Sequence, residues 1–414
     1  MAYCRIETLR LNFLTYNQPI LRVDQYRNVV DAVQSEDRQN GDNQNVGRRI
    51  ILPSSFVGSP RYMRERYLDA MAVVRTFGKP SLLITVTANP EWDEIKDALL
   101  PGQTAQDRPE LVARVFNMKI NLISKDLHQD GIFGKSLAYM LVIEFQKRGL
   151  PHSHILLILE TNDRLYTPQQ VDAVCTAEIP DPTLSEQSRR LHDIVMRTMI
   201  HNQCGPNNSS APCWSNNKCT KGFPKPFAAE TSVSARNLYP TYRRRSPQDG
   251  GQEVRMPHRV VDNRWVVAYN PYLSLKYNAH INVEMCISVD GVKYIYMYIY
   301  KGPDRQMVSV NQLIQRGGNE IENFQDLRCI GSSEAAWKIY DFPMSKRYPS
   351  VEALPVHLKD QQMVYFQEGE EEQVAGRPAR ITKLTAWMTY NEQNGVIDID
   401  CLEVGLPFIR NNNR

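Results

Sequence analysis

The chain has 414 residues, room for two to four domains at roughly 100–200 residues each. Apolar residues make up 42% and charged residues 23%, a balance that buries a sizeable core and excludes disorder as a description of the whole. No stretch reaches the ~18 uncharged apolar residues of a membrane span, the leading MAYCRIETLRLNF has no basic-then-apolar signal, and 49 basic against 46 acidic residues (net +3) do not by themselves argue for nucleic acid. The expectation is a soluble protein with no membrane partner.

In chain order, residues 20–34 read weakly as a helix and 35–48 (SEDRQNGDNQNVGR) as a polar loop. Residues 60–77 read as a firmer helix: Pro60 suits its start, and Tyr62, Tyr67, Met71 and Val74 form an apolar stripe. SLLITVTA (81–88), closed by Asn89-Pro90, reads as a buried strand, and 109–129 as a helix with Val112, Val115, Ile120 and Ile123 inward. SLAYMLVIEF (136–145) and HSHILLIL (152–159) are two strands joined by the turn chemistry of QKRGLP, a hairpin or a close relative of one. A helix follows near 184–200. Residues 201–250, rich in Cys, Asn, Ser, Pro and Arg, read as an irregular insert that bears a site, and 266–288 returns to strand-like composition. Residues 311–414 mix short strands and helices, with a frayed NNNR tail.

Four groups of residues can carry chemistry. His152 and His154 flank Ser153 on an apolar strand, so the period of two puts both imidazoles on one face, about 6–7 Å apart. Neutral imidazoles at that spacing can share a divalent ion. A third ligand is expected from the neighbouring strand, where Glu144 and Gln146 share a face; the carboxylate is the harder, charged ligand. The plainer alternative is a pair of histidines finishing a strand at a turn.

YIYMYIY (294–300) is a strand by propensity, with Tyr294, Tyr296, Tyr298 and Tyr300 on one face. On a helix, Tyr294 pairs with Tyr298 at i, i+4. It is either an aromatic ladder or a source of nucleophiles, and a phenol with a pKa near 10 attacks poorly unless a metal polarises its target.

His201, Cys204, Cys213 and Cys219 offer one imidazole and three thiols in a loop-rich region that needs a staple. They match the ligand set of a closed tetrahedral zinc site, although the spacing fits no standard finger; the plainer alternative is unpaired thiols in a reducing cell. The eight cysteines of the chain are too sparse for a disulfide scaffold. Tyr242, Arg243, Arg244 and Arg245, with Tyr239, combine cations and aromatic faces as single-strand binders do, or else form a solvated charged loop. No G-x4-G-K-[ST] and no G-x-S-x-G occurs.

The blocks ILPSSFVGSPRYM (51–63), ITVTANPEW (84–92), EFQKRGLPHSHILLIL (144–159), CTKGFPKPF (219–227), YNPYLSLKYNAHINVE (269–284) and YIYMYIYKGPDR (294–305) together resemble the N-terminal, replication-initiator-like domain of Helitron transposases. The resemblance runs from about residue 20 to 390, and EFQKRGLPHSH is its most specific block. It implies an HUH endonuclease in which His152 and His154 hold a divalent metal, Mg²⁺ or Mn²⁺. It further implies that Tyr294 and Tyr298 are nucleophiles on single-stranded DNA, which favours a helix for that run. The product would be a 5′-phosphotyrosine link and a free 3′-hydroxyl, and two nucleophiles permit the two strand transfers of rolling-circle transposition. Met297 stands where the family commonly has lysine. Helitron transposases continue into a P-loop helicase, so the expectation is a fragment, a degenerate copy or a relic, with a helicase supplied by another chain. A catalytically inactive DNA-binding module is the alternative reading. A zinc-stabilised structural protein is a third. A nuclear setting is implied by the family.

The expected fold is α+β, with a mostly antiparallel sheet, flanking helices and a Cys/His-rich insert. The expected division is an N-terminal helical and loop region (1–75), a first nuclease part with the metal hairpin (76–200), a Cys/His-rich basic insert (201–260), a second nuclease part with the tyrosine pair (261–310) and a C-terminal connector (311–414).

Overall fold

A computed structural model describes residues 2–17, 21–25, 48–49, 56–145, 150–206, 208–234, 239–257, 259–287, 330–351, 357–358, 361–367, 369–378 and 380–394. They fall into two compact units, one of Met1–Tyr62, Val308–Asp326 and Glu352–Arg414, the other of Met63–Met307 and Leu327–Val351.

The first unit contains the helix Ala2–Asn17 and a small antiparallel sheet in which Leu21–Gln25 lies between Met363–Gln367 and Arg48–Arg49. Residues 21–25 therefore form a strand where the sequence suggested a weak helix. Alternating Leu21, Val23 and Gln25 gain a full antiparallel register against Gln367, Tyr365 and Met363, and that pairing outweighs local propensity.

The second unit carries the chemistry. Most of helix α1 (Pro60–Phe77) belongs to it, and the residues Tyr67, Ala70, Met71, Val74 and Phe77 recur at helical spacing and form one apolar stripe. Strand β1 (Leu82–Thr87) is followed by helix α2 (Pro109–His128), which starts with Pro109 at its first turn. Strands β2 (Ser136–Phe145) and β3 (Pro151–Leu159) pair antiparallel from Ser136↔Leu159 to Phe145↔Pro151. Helix α3 (Glu186–Thr198) is capped by the Ser185 hydroxyl, which accepts from the Ser188 N–H. Strand β4 (His280–Met285), helix α4 (Ser332–Ile339) and strand β5 (Ser345–Tyr348) complete the frame. The sheet order is β4-β1-β3-β2-β5, antiparallel throughout. The fold is α+β.

The period of two sorts the sheet into two faces. On one, Ile84, Val86, Leu141, Ile143, Ile155, Leu157, Ile281 and Val283 meet Phe116, Ile120 and Ile123 of α2, with Trp337 of α4 beside them. On the other, Leu83, Ala138, Met140, Leu156 and Ile158 meet Ala70 and Val73 of α1. The latter face also has a polar end, beyond the apolar contacts of α1, and the histidines lie there. β3 is central and paired on both sides, so it reads as a nearly continuous apolar run after its polar start.

Residues 266–288 are not one strand. Pro271–Tyr277 is a helix, because Asn270 accepts from the Leu273 N–H, Pro271 occupies the first turn and Asn278 ends it at a φ of 46°. Leu273 and Tyr277 make the buried side of this helix while Tyr272 is exposed, and the Tyr277 hydroxyl donates to Asp126 of α2 at 2.7 Å.

The insert has its own small core of Ile179, Val195, Met199, Val261, Val266 and Tyr269. Arg244 is buried against it, at 5% exposure, and its Nη1 donates to the carbonyls of Asn263 at 2.6 Å and Val266 at 2.7 Å. Tyr242 is buried too, accepting from the Met285 N–H at 2.9 Å and donating to Glu284 at 3.0 Å. Arg243 and Arg245 remain partly exposed, but both reach Glu178, Arg245 at 2.7 Å. The expected phosphate-and-stacking surface on Tyr242 to Arg245 is thus corrected for Tyr242 and Arg244. Their polar groups are consumed inside the fold, where free backbone carbonyls would otherwise be costly. Arg244→Met is expected to destabilise this unit by about 2–4 kcal/mol, since the carbonyls lose their donor. Denaturant unfolding measures it, and an unchanged midpoint would contradict the clamp.

Candidate functional site

The polar end of the α1-side face is built from two cross-strand rows. In one, His280, Thr87, His152 and Glu144 stand side by side across β4, β1, β3 and β2. In the next, the row is Asn282, Thr85, His154 and Val142. The expected strand geometry of His152 and His154 is observed: both imidazoles share one face, with Ser153 turned to the other.

Each histidine is held from β1. The His152 Nδ1 lies 2.8 Å from the Thr87 hydroxyl, and the His154 Nδ1 lies 3.1 Å from the Thr85 hydroxyl. A hydroxyl donates or accepts, so it serves either imidazole tautomer. When Nδ1–H is the donor, Nε2 keeps its lone pair for an ion, the arrangement metal-binding histidines ordinarily have. Thr85 and Thr87 were missed in the sequence. Their signal was a second period of two, T-x-T, in the strand expected to neighbour H-x-H.

Glu144 reaches diagonally, and its Oε2 lies 3.1 Å from the His154 Nε2. Two cis ligands of an octahedral ion at 2.0–2.1 Å stand about 3 Å apart, so this pair has the separation of metal ligands. In the other tautomer, with the proton on Nε2, the same pair is a hydrogen bond to the carboxylate and Nδ1 accepts from the Thr85 hydroxyl. Burial, with His154 second, lowers the His152 pKa to about 4, which leaves that ring neutral and able to ligate at neutral pH. His152 stands opposite Glu144 but is turned to Thr87, so the trio of His152, His154 and Glu144 is less tightly drawn together than the His154–Glu144 pair. Gln146 lies outside the described residues, and so do Tyr294 and Tyr298. Two imidazoles and a carboxylate are a donor set that a first-row divalent ion could use.

His201, Cys204, Cys213 and Cys219 do converge, with one ligand atom from each lying within 4.8 Å of all the others. Among the described residues they are the group of three or more His, Cys, Asp or Glu side chains gathered this way. The His201 Nε2 lies 3.6, 3.4 and 3.5 Å from the sulfurs of Cys204, Cys213 and Cys219. A tetrahedral zinc with Zn–S of about 2.3 Å and Zn–N of about 2.05 Å sets each S···N edge at about 3.6 Å. The cluster can hold a metal such as zinc.

The local chain explains the convergence. Cys213 precedes and Cys219 ends a short hairpin in which Trp214↔Cys219 and Ser215↔Lys218 pair across Asn216 and Asn217, both at positive φ. His201 follows helix α3, and its N–H donates to the Trp265 carbonyl at 2.8 Å. Its ring stacks on Phe223, with centroids 4.2 Å apart and planes 8° from parallel. Burial, then Arg259, lowers the His201 pKa to about 4, so the ring is neutral. Cys204 is pushed up to about 12 by burial and by its thiol neighbours Cys213 and Cys219. A cation at the centre reverses that penalty by favouring thiolates. Burial also acts on Cys219, yet the N–H groups of Phe223 and Lys221 bring its thiol below the ordinary value.

Residues 1–157 match the family model of the Helitron helicase-like domain at N-terminus. The matched segment contains Thr85, Thr87, Glu144, His152 and His154, and it ends two residues before β3 does. The Helitron-like match supports a Helitron transposon-related role. The His/Cys cluster and the tyrosine run lie beyond the matched residues. No curated protein matches the chain.

Proposed function

We propose that this chain is a metal-dependent, tyrosine-based nuclease and strand transferase for single-stranded DNA, of the rolling-circle kind, acting in the nucleus. The observation that supports it most is the pairing of His152 and His154 with Thr87 and Thr85 on the face where Glu144 already meets His154.

A bound divalent ion would neutralise phosphate charge and make the phosphorus electrophilic. His154 and Glu144 would hold the ion from β3 and β2, with His152 joining from the adjoining row. Thr85 and Thr87 fix the imidazole orientations, so the ligands require little reorganisation. The phenol of Tyr294 or Tyr298 attacks the phosphorus; the Tyr–O–P bond forms as the P–O3′ bond breaks. The phenol's proton ends on the departing 3′-hydroxyl. The transesterification conserves the phosphodiester energy, so the second tyrosine can accept another strand without ATP. Strand opening falls to a helicase, since these residues contain no P-loop. Zinc at His201, Cys204, Cys213 and Cys219 is structural in this reading, since a closed four-ligand site leaves no open position for substrate.

Incubation of the full chain with a labelled single-stranded oligonucleotide and Mn²⁺ should give a covalent protein–DNA adduct that survives denaturation. Tyr294→Phe combined with Tyr298→Phe should abolish it. An adduct that persists in the double variant would remove these tyrosines from the mechanism; DNA binding with no adduct in the wild type would favour a binding-only module.

A further inference from the structure

Residues 201–229 contain three lysines, Lys218, Lys221 and Lys225, and no aspartate or glutamate. None of the three lysines pairs with a carboxylate among the described residues. Lys218 and Lys221 are exposed, and the Lys225 Nζ lies 5.1 Å from the centre of the Phe223 ring while donating to the Lys221 carbonyl. Phe227 is 38% exposed, and Arg264 covers one side of its ring at 4.6 Å. Arg264 itself is bound by Asp262 at 2.7 Å, so it supplies a stacking plane more than a free charge.

The rings here are layered. Lys225, Phe223, His201, Trp265 and Arg259 form a stack in which His201 lies 8° from Phe223 and 13° from Trp265, with Arg259 4.8 Å from the Trp265 ring centre. The cluster of His201 with the three cysteines anchors one layer of that stack, so the metal ligands and the aromatic platform are one unit.

The lobe also begins beside the histidine rows. The His280 Nδ1, at the end of the His280–Thr87–His152–Glu144 row, lies 2.7 Å from the Thr198 carbonyl, and Thr198 is the last residue of α3, three before His201. A strand laid over the rows toward β4 would run toward Thr198, from which the chain enters this lobe.

We propose that the loop 218–227 of the His/Cys lobe is a contact surface for single-stranded DNA, with Lys218, Lys221 and Lys225 on phosphates and Phe227 stacking an unpaired base. Unpaired strands are bound by this combination of cations and aromatic faces, and stacking requires bases that a duplex does not present. The acid-free basic loop supplies the charge complementarity to a phosphate backbone. The inference takes from the proposed nuclease reading only the choice of DNA as the strand.

The test is fluorescence anisotropy of labelled oligothymidylate with the full chain across a salt series, with bound zinc measured in parallel. Lys218→Gln, Lys221→Gln and Lys225→Gln together should weaken binding tenfold or more and flatten the log–log salt slope by about 2, at ~0.7 per phosphate contact. Phe227→Ala should weaken binding about tenfold with the slope unchanged. A duplex of the same length should bind more weakly than the single strand. Wild-type affinity and slope in the zinc-loaded triple variant would overturn the proposal, as would equal binding of duplex. If the triple variant loses its metal, Lys218→Gln with Lys221→Gln, both exposed, should still flatten the slope by about 1.4, and an unchanged slope there overturns it. Absence of a covalent adduct, with lobe-dependent binding intact, refutes the nuclease reading alone and leaves this surface standing.

Discussion

Replacing His152 and His154 together with alanine is expected to lower adduct formation on single-stranded DNA by about a thousandfold or more, while binding of the same strand changes little. The magnitude follows from the role. A Lewis-acidic ion contributes several kcal/mol to a phosphoryl-transfer barrier, and each 1.36 kcal/mol is a factor of ten in rate. The fold should survive, because both rings sit at the polar end of the face, beyond the apolar packing of α1. Glu144→Gln should give a smaller loss, with a higher Mn²⁺ requirement, since the amide oxygen remains a ligand without its charge. Thr85→Val with Thr87→Val tests the supporting hydroxyls: second-layer partners of metal ligands are worth about 10–100-fold in metal affinity or activity. Initial rates over a Mn²⁺ titration separate these cases. Full adduct formation in the double-histidine variant would end the metal-site account.

Removing zinc is expected to unfold the His/Cys lobe without unfolding the sheet. Structural zinc sites of this ligand type carry apparent binding free energies of about 10–16 kcal/mol, and small lobes built on them are disordered without metal. Among the described residues of 201–229, Ala211 and Cys219 are the buried apolar side chains and the strands are the short pairs at Trp214–Ser215 and Lys218–Cys219; the remaining ties are ring stacking on His201 and single backbone bonds such as Lys225 N–H to the Arg264 carbonyl. The sheet has its own core of Ile84, Leu141, Leu157 and Phe116, independent of the cluster. A chelator, or Cys213→Ser, should raise hydrogen exchange across 201–229 to near-unprotected rates and leave β3 protected. Metal analysis should find one zinc per wild-type chain and none in the variant. Unchanged protection after complete chelation would show that hydrogen bonds and ring stacking order the lobe without an ion.

The sequence made the strand pair 136–145 and 152–159 legible because alternation, β-branched content and the turn residues of QKRGLP all agreed. The helix of α2 was legible for the same reason, an apolar stripe at helical spacing after a proline start. The segment 266–288 was misread because its Tyr and Leu content carries strand propensity, while the Asn270 cap and Asn278 that make 271–277 a helix are single residues. The run Tyr242 to Arg245 was misread because charge says nothing about burial. Arg244 is inside since three backbone carbonyls, of Ala177, Asn263 and Val266, turn toward it from distant parts of the chain.

By itself, the sequence determined the α+β class, the shared face of His152 and His154, and which four His and Cys side chains gather in the insert. Those properties follow from local periodicity and from ligand chemistry, which depend on spacing along the chain. Only the tertiary structure decided that Thr87 and Thr85 orient the two imidazoles, that Glu144 reaches His154 diagonally, and that Tyr242 and Arg244 serve the interior. Each of these depends on the antiparallel register or on a partner far away in the chain, such as Glu144 against His152 or Tyr242 against Glu284. Register and long-range contact are fixed when buried surfaces close on one another, and no single segment encodes them.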